Sequence, residues 1–229
     1  TFESVVNKYK VSWVNDNNDI LKEEEIAYGI LPSYDKENPS KEKTAQYTYT
    51  FLGWDKEIVP VKEDITYKAV YESTVNKYTY TFLDEDGSLL KEETLDYGSE
   101  IVSPQDPSKE KTAEYTYTFL GWTVDDELVT ELGVLTKDIT FKAKYEASDN
   151  YYTVTFKNGD EVLSSKQVKY GETPIYQGEI PNKEKTAEFT YTFLGWDKEL
   201  TPIIEDTTYF ATFESVVNKY KVSWVNDNN

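Results

Sequence analysis

Cysteine, methionine, histidine and arginine are all missing from this 229-residue chain, so its 24 basic residues are all lysine. Without cysteine there is no disulfide and no thiolate metal site. Without histidine, cysteine or arginine, an enzyme would have to work with carboxylates, Lys, Tyr, Ser and Thr. Such a set is open to a paired-carboxylate hydrolase, yet no acidic pair recurs inside a motif that shapes a cleft. The expectation is therefore no enzyme, no catalytic, cofactor-binding or metal-binding residue, and no cofactor. No apolar run is long enough to span a bilayer, and no signal peptide is present. Absence of Met fits a segment from the interior of a longer chain, with any targeting or anchoring signal outside it.

Positive charge is scarce as well. The formal net charge is −19 and the isoelectric point is near 4.4. A surface of that sign repels phosphate backbones and anionic headgroups, so nucleic acid is excluded as a partner and membrane insertion is not expected. Repulsion between parts of the chain favours an extended form. Hydrophobic content is modest at 38%, but twenty Tyr, ten Phe and five Trp are present. Each aromatic ring buries a large area, so small cores can form.

What the sequence does have is repetition. Thr-Tyr-Thr-Phe-Leu-Gly-Trp occurs at Thr48–Trp54, Thr116–Trp122 and Thr190–Trp196. Each copy follows Lys-Glu-Lys-Thr-Ala, at Lys41–Ala45, Lys109–Ala113 and Lys183–Ala187. The tryptophans are 68 and 74 residues apart, and the longer spacing comes mostly from extra residues within Thr123–Thr136. A Tyr-Gly pair stands upstream each time, at Tyr28, Tyr97 and Tyr170. A longer repeat lies over this one: Thr1–Asn18 and Thr212–Asn229 are identical. The division this predicts is residues 1–6 as the closing strand of a preceding module, then modules at 7–75, 76–149 and 150–217. Residues 218–229 then open a following one.

Within the first module, Tyr9, Val11 and Trp13 alternate with Lys10 and Ser12, the period of a half-buried strand. Polar turns follow at Asn15–Asp19, Asp84–Gly87 and Asn158–Asp160. Leu21 and Ile26 are an odd number of residues apart in the second strand, which predicts a bulge between them. The stretch from Ile30 to Ala45 is loop-like, and Ser40, Ser108 and Asn182 are placed to cap one helical turn. Tyr47, Tyr49 and Phe51 line one face of a third strand, with a bulge at Gly53. Tyr67, Ala69 and Tyr71 line a closing strand. The module is thus four strands and one helical turn, joined to the next by linkers that lack Gly and Pro. Restricted swing between modules is expected.

Tyr152–Phe156, the Tyr-Gly pair, the proline-containing loop, the Phe-Leu-Gly-Trp block and the closing Tyr-x-Ala-x-Tyr strand together resemble the Listeria-Bacteroides repeat, which includes the B-repeat of internalins. The resemblance implies an α+β, β-rich chain of tandem small β-grasp, ubiquitin-like modules arranged as an elongated array. It implies an extracellular, cell-surface location in large, wall-attached bacterial proteins, and it carries no catalytic residues. Modules of this size have diameters of roughly 30 Å, so three in line would reach about 90 Å. The function expected is a structural stalk that projects a distal domain. The alternative is an adhesive array that binds a surface protein or glycan by avidity.

Four local features admit a functional reading. Asp84-Glu85-Asp86-Gly87 is either a hairpin turn or a calcium loop. The Lys-Glu-Lys-Thr-Ala block either builds a helical turn that covers the sheet and meets the next module, or is a repeated ligand patch. The Tyr-Thr-Tyr-Thr-Phe strands with Trp54, Trp122 and Trp196 are either core or a sugar-stacking platform; core is favoured, at least for Tyr49, Phe51 and the tryptophans. Lysines, asparagines and acids on strands raise the idea of isopeptide crosslinks, for which the sequence carries no specific signal.

Overall fold

Runs of alternating Tyr, Thr and Phe dominate the chain, and these β-branched and aromatic residues pack well on a pleated surface. In the computed structural model, which describes residues 2–225, they form thirteen strands in three sheets. The first sheet contains β1 (Lys8–Val14), β2 (Ile20–Ala27), β3 (Tyr47–Trp54) and β4 (Ile65–Val75), in the order β2-β1-β4-β3. The second has β5 (Lys77–Leu83), β6 (Leu89–Asp96), β7 (Tyr115–Val124), β8 (Glu127–Leu128) and β9 (Ile139–Asp149), ordered β6-β5-β9-β7-β8. The third has β10 (Tyr151–Asn158), β11 (Glu161–Lys169), β12 (Phe189–Trp196) and β13 (Thr207–Val217), ordered β11-β10-β13-β12. In each, a central parallel pair is flanked by antiparallel hairpins; Val11 to Val14 lie beside Ile65 to Lys68, for example.

Backbone packing divides the chain into two compact units, Thr1–Gln105 with Trp122–Ala143, and Asp106–Gly121 with Lys144–Asn229. The first unit holds the first sheet and the core-bearing half of the second. The second unit holds Tyr115–Gly121 of β7, Lys144–Asp149 of β9 and the third sheet.

The α+β, β-grasp expectation is overturned: among the described residues no helix forms, and the chain is all-β. The connection from β2 to β3 has to cross from one edge of the sheet to the other, and it does so as irregular chain. Pro32 and Pro39 are buried in it, and a proline has no N–H to give a helix. Tyr34 between them packs its ring 5.6 Å from Trp13 and 4.9 Å from Trp54. The helical turn expected at Ser40 is also absent, because the Thr44 N–H that would close it onto the Ser40 carbonyl donates to the Tyr47 carbonyl instead. The Ser40 carbonyl accepts from Asn15, and those of Thr44 and Ala45 accept from Asn76. A single turn begun without its closing bond is costly to nucleate.

Each sheet has the same aromatic core in different residues. Trp13 stacks on Tyr67 at 4.5 Å, Phe82 on Phe141 at 4.7 Å and Phe156 on Tyr209 at 5.2 Å. The tryptophan of the repeat block closes on the same ring, at 4.7 Å from Trp13, 4.7 Å from Phe82 and 4.6 Å from Phe156. Trp13 differs from its Phe counterparts in one respect: its indole N–H is buried without a hydrogen-bond partner.

The Tyr-Gly pairs tie a loop over this core. The N–H groups of Gly29, Gly98 and Gly171 donate to the carbonyls of Val61, Leu135 and Ile203. All three glycines hold φ near +80°, a conformation that other residues adopt only under strain. The three apolar residues so held are at most 2% exposed. The predicted bulge at Gly53 is present, as a register shift between Phe51 and Gly53 with φ of 140° at the glycine. The bulge in β2 is displaced from its predicted place. Pairing is continuous from Ile26 to Lys22 and then skips Leu21, because Trp13 faces Lys22 while Val14 faces Ile20.

Candidate functional site

Strand β4 ends at Val75 and β5 begins at Lys77, so one residue, Asn76, joins the first sheet to the second. Every polar group of that residue is used. Its side-chain amide donates to the Thr44 carbonyl at 2.8 Å and to the Ala45 carbonyl at 3.0 Å. Its Oδ1 accepts from the Thr48 hydroxyl at 2.7 Å. Its backbone N–H donates to the Gln46 carbonyl, and its own carbonyl accepts from Tyr97 N–H. Two residues on, the Tyr78 hydroxyl donates to the Ala45 carbonyl at 2.7 Å.

The same arrangement recurs where β9 meets β10. Asn150 donates to the carbonyls of Thr112 and Ala113 and accepts from Thr116, while Tyr152 donates to Ala113. It recurs again after β13, where Asn218 holds Thr186 and Ala187 and accepts from Thr190, and Tyr220 reaches Ala187. The turn that supplies the carbonyls is itself fixed. Thr44, Thr112 and Thr186 each accept on their hydroxyl the N–H of the residue that opens the following strand.

This gives the Lys-Glu-Lys-Thr-Ala block a structural task. Its Thr-Ala end presents carbonyls to the asparagine, and its first lysine lies over the neighbouring strand. The ammonium groups of Lys41, Lys109 and Lys183 sit 4.4, 4.2 and 4.3 Å from the ring centres of Tyr49, Tyr117 and Tyr191. A cation over an aromatic face is held by the ring quadrupole. Lys41 also pairs with Asp16 at 2.5 Å. That hydrogen bond holds the Asp16 carboxyl below its ordinary range and the Lys41 ammonium above its own. The Thr-Ala end of the block is bonded to Asn76 and Tyr78, and the expected helical turn does not form.

The other candidate features fall into place as follows. Asp84-Glu85-Asp86-Gly87 makes the hairpin turn between β5 and β6: Asp84 and Asp86 accept the backbone N–H groups of Glu85 and Ser88. Trp122 is buried, while Trp54 and Trp196 are half-buried against the cores. Tyr49 and Phe51 are half-buried, and Lys41 stands over the Tyr49 ring. The extra residues after Trp122 form a small hairpin, with Thr123 paired to Leu128 and Val124 to Glu127. Its turn is Asp125-Asp126, both at positive φ, as a two-residue hairpin loop requires. A groove of about 440 Å³ lies at the first junction, lined by Lys43, Thr48, Asn76, Lys77 and Tyr78 among others. In the sequence the junction asparagines read only as linker ends. The signal that marks them is an Asn at one fixed place in every repeat, two residues before a Tyr.

Residues 78–144 match the family model of the Listeria-Bacteroides repeat domain. The chain is 31% identical to a protein of Evansella cellulosilytica provisionally named a membrane protein; the match covers 96% of this chain and 33% of that one. It is likewise 31% identical to a second protein of that organism, provisionally named a Gly-rich membrane protein, over 96% of this chain and 26% of that one. The chain thus spans about a third or less of these relatives. Among solved structures, it is similar to Streptococcal High Identity Repeats in Tandem domains 3-4 from a cell surface protein. That similarity is 22% identity with a TM-score of 0.33, over 62% of this chain and 99% of the other.

Proposed function

We propose, for a chain whose residues 78–144 form a Listeria-Bacteroides repeat, that its tandem modules are a spacer in a bacterial surface protein. They hold a distal part of that protein away from the cell, to which regions beyond these residues attach it. The modules are residues 7–75, 76–149 and 150–217, and the partners this role needs are neighbouring modules of the same chain. No catalysis is part of the reading.

The observation that carries it is the one-asparagine junction. A flexible tether would use several Gly or Ser residues. Here the junction is a single residue, and its side chain is bonded back to the turn of the preceding repeat, three times over. Such a link transmits direction from one repeat to the next, which is what a spacer needs. The provisional membrane-protein names of the relatives support a place at the cell envelope.

The test is to vary the number of modules. Chains with three and six modules are compared by small-angle scattering. A spacer gains about 30 Å in maximum dimension for each module added. A dimension that stays constant as modules are added overturns the reading. Loss of cell attachment after surface substitutions, at constant module number, points instead to an adhesive array.

A further inference from the structure

Each sheet has two edges, and they differ in charge. The first sheet ends at β2 on one side and at β3 on the other. Strand β2 carries Lys22, Glu23, Glu24 and Glu25 in succession. Charged side chains on an edge are the usual protection against pairing with another chain. Strand β3, Tyr47-Thr-Tyr-Thr-Phe-Leu-Gly-Trp, has no charged residue in its length. The third sheet repeats the contrast: β11 carries Glu161, Lys166 and Lys169, while β12, Phe189–Trp196, has none. Both uncharged strands pair on one side only, β3 with β4 and β12 with β13. In the second sheet the corresponding strand, β7, has a second partner in the short β8, but only at Thr123 and Val124, so its uncharged residues 115–120 form a third such edge.

Uncharged edges stand out on a chain of net charge −19. Two copies of so acidic a protein repel one another over most of their surface, and the approach of least repulsion is along these strands. Alternation of Thr and aromatic residues also makes the strand close to self-complementary. Laid antiparallel on its own copy, it sets Thr beside Thr and ring beside ring, pairings that stabilise sheets. Thr48, Thr50 and Leu52 lie exposed on one side of β3, with Leu52 at 63%, and Leu194 of β12 is 66% exposed.

We propose that β3, β12 and residues 115–120 of β7 are self-association edges, at which a second copy of this chain adds one of the same strands in antiparallel pairing. The occupant is another copy rather than a foreign peptide because neutrality and self-complementarity both belong to this strand. Salt strengthens the pairing, since it screens the repulsion between the two acidic bodies.

The experiment is sedimentation equilibrium in the ultracentrifuge on the full 229-residue chain, at low and high salt, beside the variant T50K/T118K/T192K. All three threonines are exposed, so the variant is expected to melt at the temperature of the parent. The parent associates with rising concentration, and more so in high salt. Opposed lysines in the variant weaken that association about tenfold or more. Amide exchange then slows with concentration in residues 47–52, 115–120 and 189–194 of the parent. A parent that stays monomeric at high salt overturns the proposal. Association that survives in T50K/T118K/T192K, or concentration-dependent protection at β2 and β11 instead, overturns it equally.

Discussion

Thr1–Asn18 and Thr212–Asn229 have the same eighteen residues, and the twins Phe2–Val14 and Phe213–Val225 fold differently. In the first copy, Phe2–Asn7 form no strand, while Lys8–Val14 are the central strand β1. In the second, Thr212–Val217 finish strand β13, while Asn218–Val225 form no strand. Trp13 is fully buried, whereas its twin Trp224 is 94% exposed. Phe213 meets the Phe193 ring at 5.9 Å, whereas its twin Phe2 is fully exposed. Local sequence is held constant, so the difference lies in what can pair. Residues 212–217 have β12 to pair with, and residues 8–14 have β2 and β4. Strand propensity in this protein is an offer that only a neighbouring strand completes.

The strongest way to break that comparison is to make one substitution in both copies. Trp13→Ala should destabilise the first sheet by about 3–5 kcal/mol, the usual cost of emptying a large aromatic site. Trp224→Ala should leave the denaturant midpoint unchanged. Chemical denaturation read by far-ultraviolet circular dichroism measures both. Trp13→Phe should be far milder than Trp13→Ala, because it removes an unpaired buried donor and installs the residue used at Phe82 and Phe156.

Next comes the aromatic pair at the other end of the repeat. Phe213→Ala should cost about 1 kcal/mol or somewhat more, through the lost ring contact and its area. Phe2→Ala should be silent in the same thermal melt. Smaller again is the junction. Asn218→Ala removes three side-chain hydrogen bonds at a solvent-accessible site and should cost about 1 kcal/mol. Its twin Asn7 contributes a backbone carbonyl, to Tyr28 N–H, which Asn7→Ala leaves in place. Equal effects at residues 7 and 218 would contradict the junction's role.

The smallest effect sharpens the comparison within the seated copy. Lys41 lowers the Asp16 carboxyl, so this pair adds stability above the unfolded carboxylate range near pH 4. That contribution disappears as pH falls through the lower folded value. Asp16 in turn raises the Lys41 ammonium, so the contribution is also lost above the ordinary lysine range. Asp16→Asn should flatten this part of the melting temperature profile on the acid side of the ordinary carboxylate range. A profile unchanged by the substitution would show that the pair contributes nothing measurable.

Much of the module is legible in the residues alone. Tyr9, Val11 and Trp13 announce a strand by their spacing, and so do Tyr47, Tyr49 and Phe51, because side chains on a strand alternate between faces. Gly53 announces a bulge because it interrupts such a run. Val61, Leu135 and Ile203 are not legible as core. They stand in irregular chain with no period, and a distant glycine N–H holds each in place. The capping residues Ser40, Ser108 and Asn182 point to a helical turn that the tertiary contacts refuse. The Asn76 clamp is hidden for a similar reason: its partners lie about thirty residues back, and no local pattern connects them.

By itself, the sequence determines the repeat, its strands, its aromatic content and its acidity, together with the absence of thiol, imidazole and guanidinium chemistry. These follow from composition and from short-range periodicity, which a chain carries with it into any environment. The tertiary structure alone decides that the crossing loop is irregular chain, that one asparagine locks each junction, and that one of two identical segments is core. Hydrogen bonds and burial are completed by partners distant in sequence, and residues 2–14 and 213–225 have the same letters but different partners.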